Sequence, residues 1–208
     1  MKPTIEALFS EVEFTQVEML PYEEMIPFVQ REFKYPTPLI RIYVVLNVLI
    51  VGILLVLGYL QVSSGRISIG HLFGSVSLGL AASMTILIPI HEAIHGLAYK
   101  IAGALRVSYG VNWRKLYFYA VADRFVIGRK DFRMVAIAPF LVISFLSIIA
   151  LFFVSLPVQW FFGGLLLLHT GACAGDFAML AFYQRHPEGE LLTFDDVAAK
   201  KAYFFQQR

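Results

Sequence analysis

Four apolar runs, each near the length that crosses a lipid bilayer, constrain this chain more than anything else in it. The first is Ile42 to about Leu60, with Asn47 its most polar member. The second starts near His71 or Leu72 and ends near Gly103. The third runs from Val135 or Pro139 to Leu156, and the fourth from Val158 to about Tyr183. A bilayer core is spanned by about 20 apolar helical residues. Inside it, backbone polar groups must be paired within the structure itself, which favours helices. Of 208 residues, 58% are hydrophobic and 15% charged, where soluble domains carry about 25% charged residues. The expected class is therefore an all-α membrane protein of four transmembrane helices, with a short β-hairpin between the second and third.

The segments around the spans divide the chain further. Residues 1–37 are mixed and acidic, and predict an interfacial segment with one or two short helices. Residues 38–185 form the membrane domain, and 186–208 a polar, partly helical tail. Within 104–131, the runs Leu116–Val121 and Arg124–Ile127 are rich in aromatic and β-branched residues. They predict two short paired strands with Ala122 and Asp123 in or near the turn. The start of the chain lacks a basic stretch followed by an apolar one, so the first span is expected to direct insertion. Basic residues cluster at Lys34 and Arg41, from Lys100 to Arg133, and at Arg185, Lys200 and Lys201, whereas the other two loops hold only Arg66. By the positive-inside rule, both termini and the 104–131 loop face the cytoplasm of a cell with this protein in its membrane. That basic loop reads as solvated charge with lipid-phosphate contact, and nucleic acid is not an expected partner. The single cysteine, Cys173, excludes an intramolecular disulfide and a cysteine-cluster metal site.

The second span carries His91-Glu92-Ala93-Ile94-His95. On a helix, positions i and i+4 point the same way. His91 and His95 can therefore offer two imidazoles to one metal, with Glu92 beside them as a base toward metal-activated water. Pro89 is expected to bend the helix just before the motif. Glycine and alanine residues upstream permit close helix packing.

Polar groups inside a span are costly and are functional candidates. The fourth span holds His169, Cys173 and Asp176, at i, i+4 and i+7. At 1.5 Å per residue, His91 lies about 30 Å along the second span and Asp176 about 27 Å along the fourth. Similar depth makes Asp176 the preferred third metal ligand, with zinc the metal this donor set suits. His169 is then a catalytic candidate that hydrogen-bonds a substrate carbonyl or oxyanion. The reverse assignment, with His169 as ligand, stays open. Cys173 reads as a small packing residue. His71 and His186 read as interfacial, and Tyr117 and Tyr119 as interface aromatics that could approach a metal if the hairpin folds back.

His91-Glu92-Ala93-Ile94-His95-Gly96, then Ala138-Pro139-Phe140, then Gly175-Asp176 resemble the zincin peptidase family of small four-pass bacterial membrane proteins. That family is in turn similar to the site-2 proteases. The resemblance covers about residues 60–185. It implies zinc on His91, His95 and Asp176, Glu92 as catalytic acid and base, and an elongated hairpin that presents substrate as an added strand. Site-2 proteases usually carry Leu-Asp-Gly and an upstream asparagine; here Gly175-Asp176-Phe177 and His169 stand near those places.

The expected function is an integral-membrane zinc metallopeptidase that cuts membrane or juxtamembrane protein segments. The alternative is a non-catalytic interaction protein that uses the same groove to hold a membrane partner. Oligomeric state is not legible.

Overall fold

The computed structural model describes residues 3–112 and 117–208. The chain folds as two compact units, one of residues 41–91 and 139–174, the other of residues 1–40, 92–138 and 175–208.

The first of these is built from apolar helices. It contains most of α3 (Pro38–Ser63), all of α4 (Ile69–Ala82), a π-helical turn at Ser83–Leu87, the start of α5 (Ile88–Ile101), the later part of α6 (Arg129–Leu151), and α7 (Leu156–Ala172). α3 is apolar all round, and Ile42, Val45, Val48, Leu55 and Val56 are exposed. A helix of that kind belongs in lipid. α4 and α7 approach closely because glycine faces backbone on both sides. A Cβ on Gly79 would run into the carbonyl oxygen of Phe161, and one on Gly164 into that of Val76. Few polar groups lie inside, and those that do are paired. Ser83 Oγ donates to the Leu165 carbonyl at 2.8 Å. Thr170 Oγ1 donates to Asn47 Oδ1 at 3.0 Å, and Trp160 Nε1 donates to Gln61 Oε1 at 2.8 Å. The π turn immediately precedes Pro89. A proline has no N–H to give residue i−4 and its ring crowds that carbonyl; here residue i−4 is Thr85, inside the widened turn.

The second unit overturns the all-α expectation. β1 (Phe14–Pro21), β5 (Leu191–Asp196), β6 (Lys201–Gln207) and β4 (Ile127–Gly128) make a four-stranded antiparallel sheet in the order β1-β6-β5-β4. β2 (Ser108–Asn112) and β3 (Tyr117–Val121) make a separate antiparallel pair. The expected hairpin with its turn at Ala122-Asp123 does not fit. The two runs predicted to pair lie in different sheets. After β3 the chain leaves toward β5: Asp123 bridges Asp195, the Arg124 N–H donates to the Asp195 carbonyl at 2.8 Å, and Ile127 pairs with Thr193. Arg124, at φ +53°, makes the reversal that Ala122-Asp123 was expected to make. Trp113, Arg114, Lys115 and Leu116 lie outside the described residues, as does the side chain of Tyr117.

The sheet forms because its strands have apolar faces to bury. Phe204, Phe205, Leu191 and Phe194 are among the most buried side chains. Helices cover this core: α2 (Met25–Lys34), the later turns of α5, the first turns of α6, and α8 (Ala174–Arg185). Phe132 of α6 stacks on Tyr183 of α8 at 4.4 Å. Polar clamps fix the ends. Arg185 grips the fully buried carboxylate of Glu32 through both Nε and Nη2, the former at 2.9 Å. Arg129 donates to the Tyr183 carbonyl at 2.6 Å, taking up an orphan acceptor at the C-terminal end of α8.

Four helical segments are long and apolar enough to cross a membrane: Pro38–Ser63, Ile69–Ile101, Arg129–Leu151 and Leu156–Arg185. They are consistent with a multi-pass membrane protein.

Candidate metal centre

α5 places the motif. His91 and His95 lie one turn apart on a single unbroken helix, and His95 is only 8% exposed. The residue after the motif, Gly96, is small for a reason: a Cβ there would strike the Tyr109 hydroxyl of β2.

The His95 ring is held at both nitrogens. Nδ1 is 2.9 Å from the Val135 carbonyl oxygen. A carbonyl only accepts, so Nδ1 carries the proton and Nε2 carries the lone pair of the neutral ring. Nε2 in turn faces Asp176 Oδ1 at 3.2 Å. Metal-bound histidines typically show this arrangement: one nitrogen pinned by a backbone carbonyl, the other delivered to the ion.

Asp176 sits in the first turn of α8, half-buried. The donor atoms of His91, His95 and Asp176 all lie within 4.8 Å of one another. Zinc bonds of about 2.0–2.2 Å at tetrahedral angles put neighbouring donors about 3.4 Å apart. The His95–Asp176 separation already matches, and two imidazoles with one carboxylate are a donor set zinc takes. The residues therefore fit a zinc ion.

His169 and Cys173 stand elsewhere from that trio. α7 ends at Ala172, and Cys173 leaves the helical conformation at φ −69°, ψ 6° before α8 begins. The fourth apolar run is thus two helices in sequence, and the single face expected for His169, Cys173 and Asp176 is divided at Cys173. His169 is 3% exposed and Cys173 fully buried. The His169 ring lies edge-on to His91, with centroids 5.5 Å apart, and its Nε2 is 3.9 Å from Cys173 Sγ. His91, His169 and Cys173 form a second cluster of converging donors, again within 4.8 Å of one another.

The other candidates fall away from this region. His71 accepts from its own N-cap Ser68, or donates to it, at 2.8 Å. His186 is paired with the Phe182 carbonyl. Tyr119 packs over Gly110 and against Tyr22. Sequence reasoning missed Val135, whose contribution is a backbone carbonyl that any residue could supply. It also undervalued Cys173, whose position depends on a helix break.

The fold and site together define a membrane-type helical protein whose HExxH helix faces a carboxylate from a later helix. A family model described as "Putative zincin peptidase" matches residues 84–191, just over half of the chain. The chain belongs to that family. No curated protein and no solved structure matches it.

Proposed function

We propose that this protein is an integral-membrane zinc metallopeptidase, of site-2-protease type, that hydrolyses peptide bonds in membrane or juxtamembrane segments of other proteins. The observation that carries this reading is the His95 ring, fixed by Val135 and turned toward Asp176, one helical turn after His91. Family membership supports the metallopeptidase class.

In this reading His91, His95 and Asp176 hold the zinc. The bound ion supplies Lewis acidity toward the scissile carbonyl and toward the attacking water. Glu92 takes the proton of that water and passes it to the leaving amine. His169, buried beside His91, is placed by this proposal to donate to the carbonyl oxygen as negative charge develops there. Four apolar helical segments favour a bilayer-embedded substrate. The distribution of Lys and Arg favours cleavage near the cytoplasmic side, with both chain termini on that side.

The test is a cleavage assay in proteoliposomes that contain a panel of single-pass substrate segments. The wild type should cut at least one of them, and Glu92→Gln should leave it intact while retaining it as a stable complex. Cleavage by Glu92→Gln at the wild-type rate excludes this mechanism. Capture of a membrane partner without cleavage by either protein favours the interaction-protein alternative.

A further inference from the structure

We infer that His91, His169 and Cys173 form a second metal position, for a thiophilic d¹⁰ cation of the Cu⁺ or Cd²⁺ kind, which shares His91 with the HExxH position and so competes with zinc.

The argument starts from the break at Cys173. His169 and Cys173 are at i and i+4, the spacing that puts two side chains on one helix face. The chain turns out of the helix at Cys173, and its N–H still reaches the His169 carbonyl at 3.2 Å. That keeps Sγ beside the His169 ring, 3.9 Å from Nε2. His91 supplies the third donor from its own helix, and all three donor atoms fall within 4.8 Å. A tetrahedral ion with metal–sulfur and metal–nitrogen bonds of about 2.3 and 2.0 Å separates S from N by about 3.5 Å. Sγ and Nε2 need only close by a few tenths of an ångström.

Ligand softness separates this cluster from the other. Two imidazoles and a carboxylate suit zinc, whereas replacing the carboxylate by a thiolate selects softer ions. Binding forms the metal–sulfur bond as the thiol gives up its proton to solvent. Apolar surroundings and full burial of Cys173 slow escape of a bound ion. One lone pair of His91 serves one ion at a time, so an ion at the cysteine position withdraws His91 from zinc. It also engages His169. On the peptidase reading above, both effects inhibit the enzyme; the existence of the second position does not depend on that reading.

The experiment uses the full chain in detergent, titrated with Cd²⁺ while the near-ultraviolet thiolate-to-cadmium charge-transfer absorption is followed. Cys173 is the only cysteine, so the band reports this residue alone. Metal-free protein should develop the band, saturating at a single cadmium per chain. Asp176→Asn should keep it. Cys173→Ser should lose it, and His169→Ala should weaken cadmium binding by about tenfold or more. Zinc-loaded wild type should release its zinc, read with a chromogenic chelator, as the band grows. Absence of the band overturns the proposal. Zinc release without the band means that cadmium simply replaces zinc on His91, His95 and Asp176, and overturns it too. A full band with zinc retained overturns the sharing of His91. These readouts on wild-type protein stand even if a variant fails to fold. Protein that never loads zinc yet develops the band separates failure of the peptidase reading from failure of this one.

Discussion

The His95 ring donates from Nδ1 to the backbone carbonyl of Val135 at 2.9 Å. This contact ties the orientation of a motif histidine on α5 to the first half of α6. It leaves Nε2 aimed at Asp176 Oδ1, so α5, α6 and α8 together set the ring that the account assigns to zinc.

Asp176 and His169 should separate when each is replaced. Asp176→Asn keeps the shape and weakens the charge of a proposed ligand, so zinc affinity should fall by tenfold or more. His169→Asn should retain zinc and lower the cleavage rate, by roughly 10²–10³ if it stabilises the oxyanion. Equilibrium dialysis against zinc and a turnover assay on both variants check this. Zinc retained by Asp176→Asn and lost by His169→Asn reverses the assignment.

Glu32 is fully buried and held by Arg185. Removing one partner of a buried ion pair leaves the other without compensation, which costs about 3–5 kcal/mol. Arg185 retains some solvent exposure, so Glu32→Ala should fall toward the lower end. Thermal melting in detergent should show a lower midpoint, with much of the loss recovered when Arg185→Leu is added to Glu32→Leu.

The sheet carries an acid that titrates near neutrality. Loss of water on burial and the neighbouring Asp123 carboxylate push Asp195 up to about 7, opposed by the Tyr22 hydroxyl, which donates to Oδ1. The usual carboxyl value is 3.8. Between about pH 4 and 7 the folded chain therefore holds a proton that the unfolded chain has lost. Stability from this group falls as pH rises through that window and levels off above about 7. At 1.36 kcal/mol per unit, the loss is at most about 4 kcal/mol. Asp195→Asn should flatten the pH dependence of the melting midpoint over that range. An unchanged slope contradicts the assignment.

Two glycines in the apolar helices should respond in opposite ways to the same change. Gly164→Ala forces a methyl against the Val76 backbone and should destabilise by about 1–3 kcal/mol. Gly52→Ala meets nothing within 4 Å, and better helix propensity should leave it neutral or stabilising by up to about 1 kcal/mol. Melting of the two variants side by side tests whether α4 and α7 pack through backbone contact.

The spans and the motif were legible because their signals are long or specific. Twenty apolar residues in a row have few soluble explanations, and His91-Glu92 with His95 has helical spacing built in. The strands were harder to read. Phe14-Thr15-Gln16-Val17-Glu18-Met19-Leu20 alternates only loosely, and its register shifts between Gln16 and Glu18. Leu191–Phe194 is short and buried at all four positions, so it lacks the alternation that marks a half-exposed strand. Its partner Lys201–Gln207 and β1 are far apart in sequence, and such pairing leaves no local trace. Ala122-Asp123 looked like a turn because small and acidic residues favour turns. The chain reverses one residue later, at Arg124, to reach a strand some seventy residues on. At the site, Asp176 was reachable from depth along the helix. The break at Cys173, which divides His169 from Asp176, has no glycine or proline to announce it.

Zinc content per chain, measured by elemental mass spectrometry on detergent-purified protein, tests the central claim most directly. The account predicts one zinc per chain in the wild type and in Glu92→Gln, and its loss in His95→Ala. A wild type that takes up no zinc on reconstitution, or a His95→Ala variant that holds as much as the wild type, contradicts it.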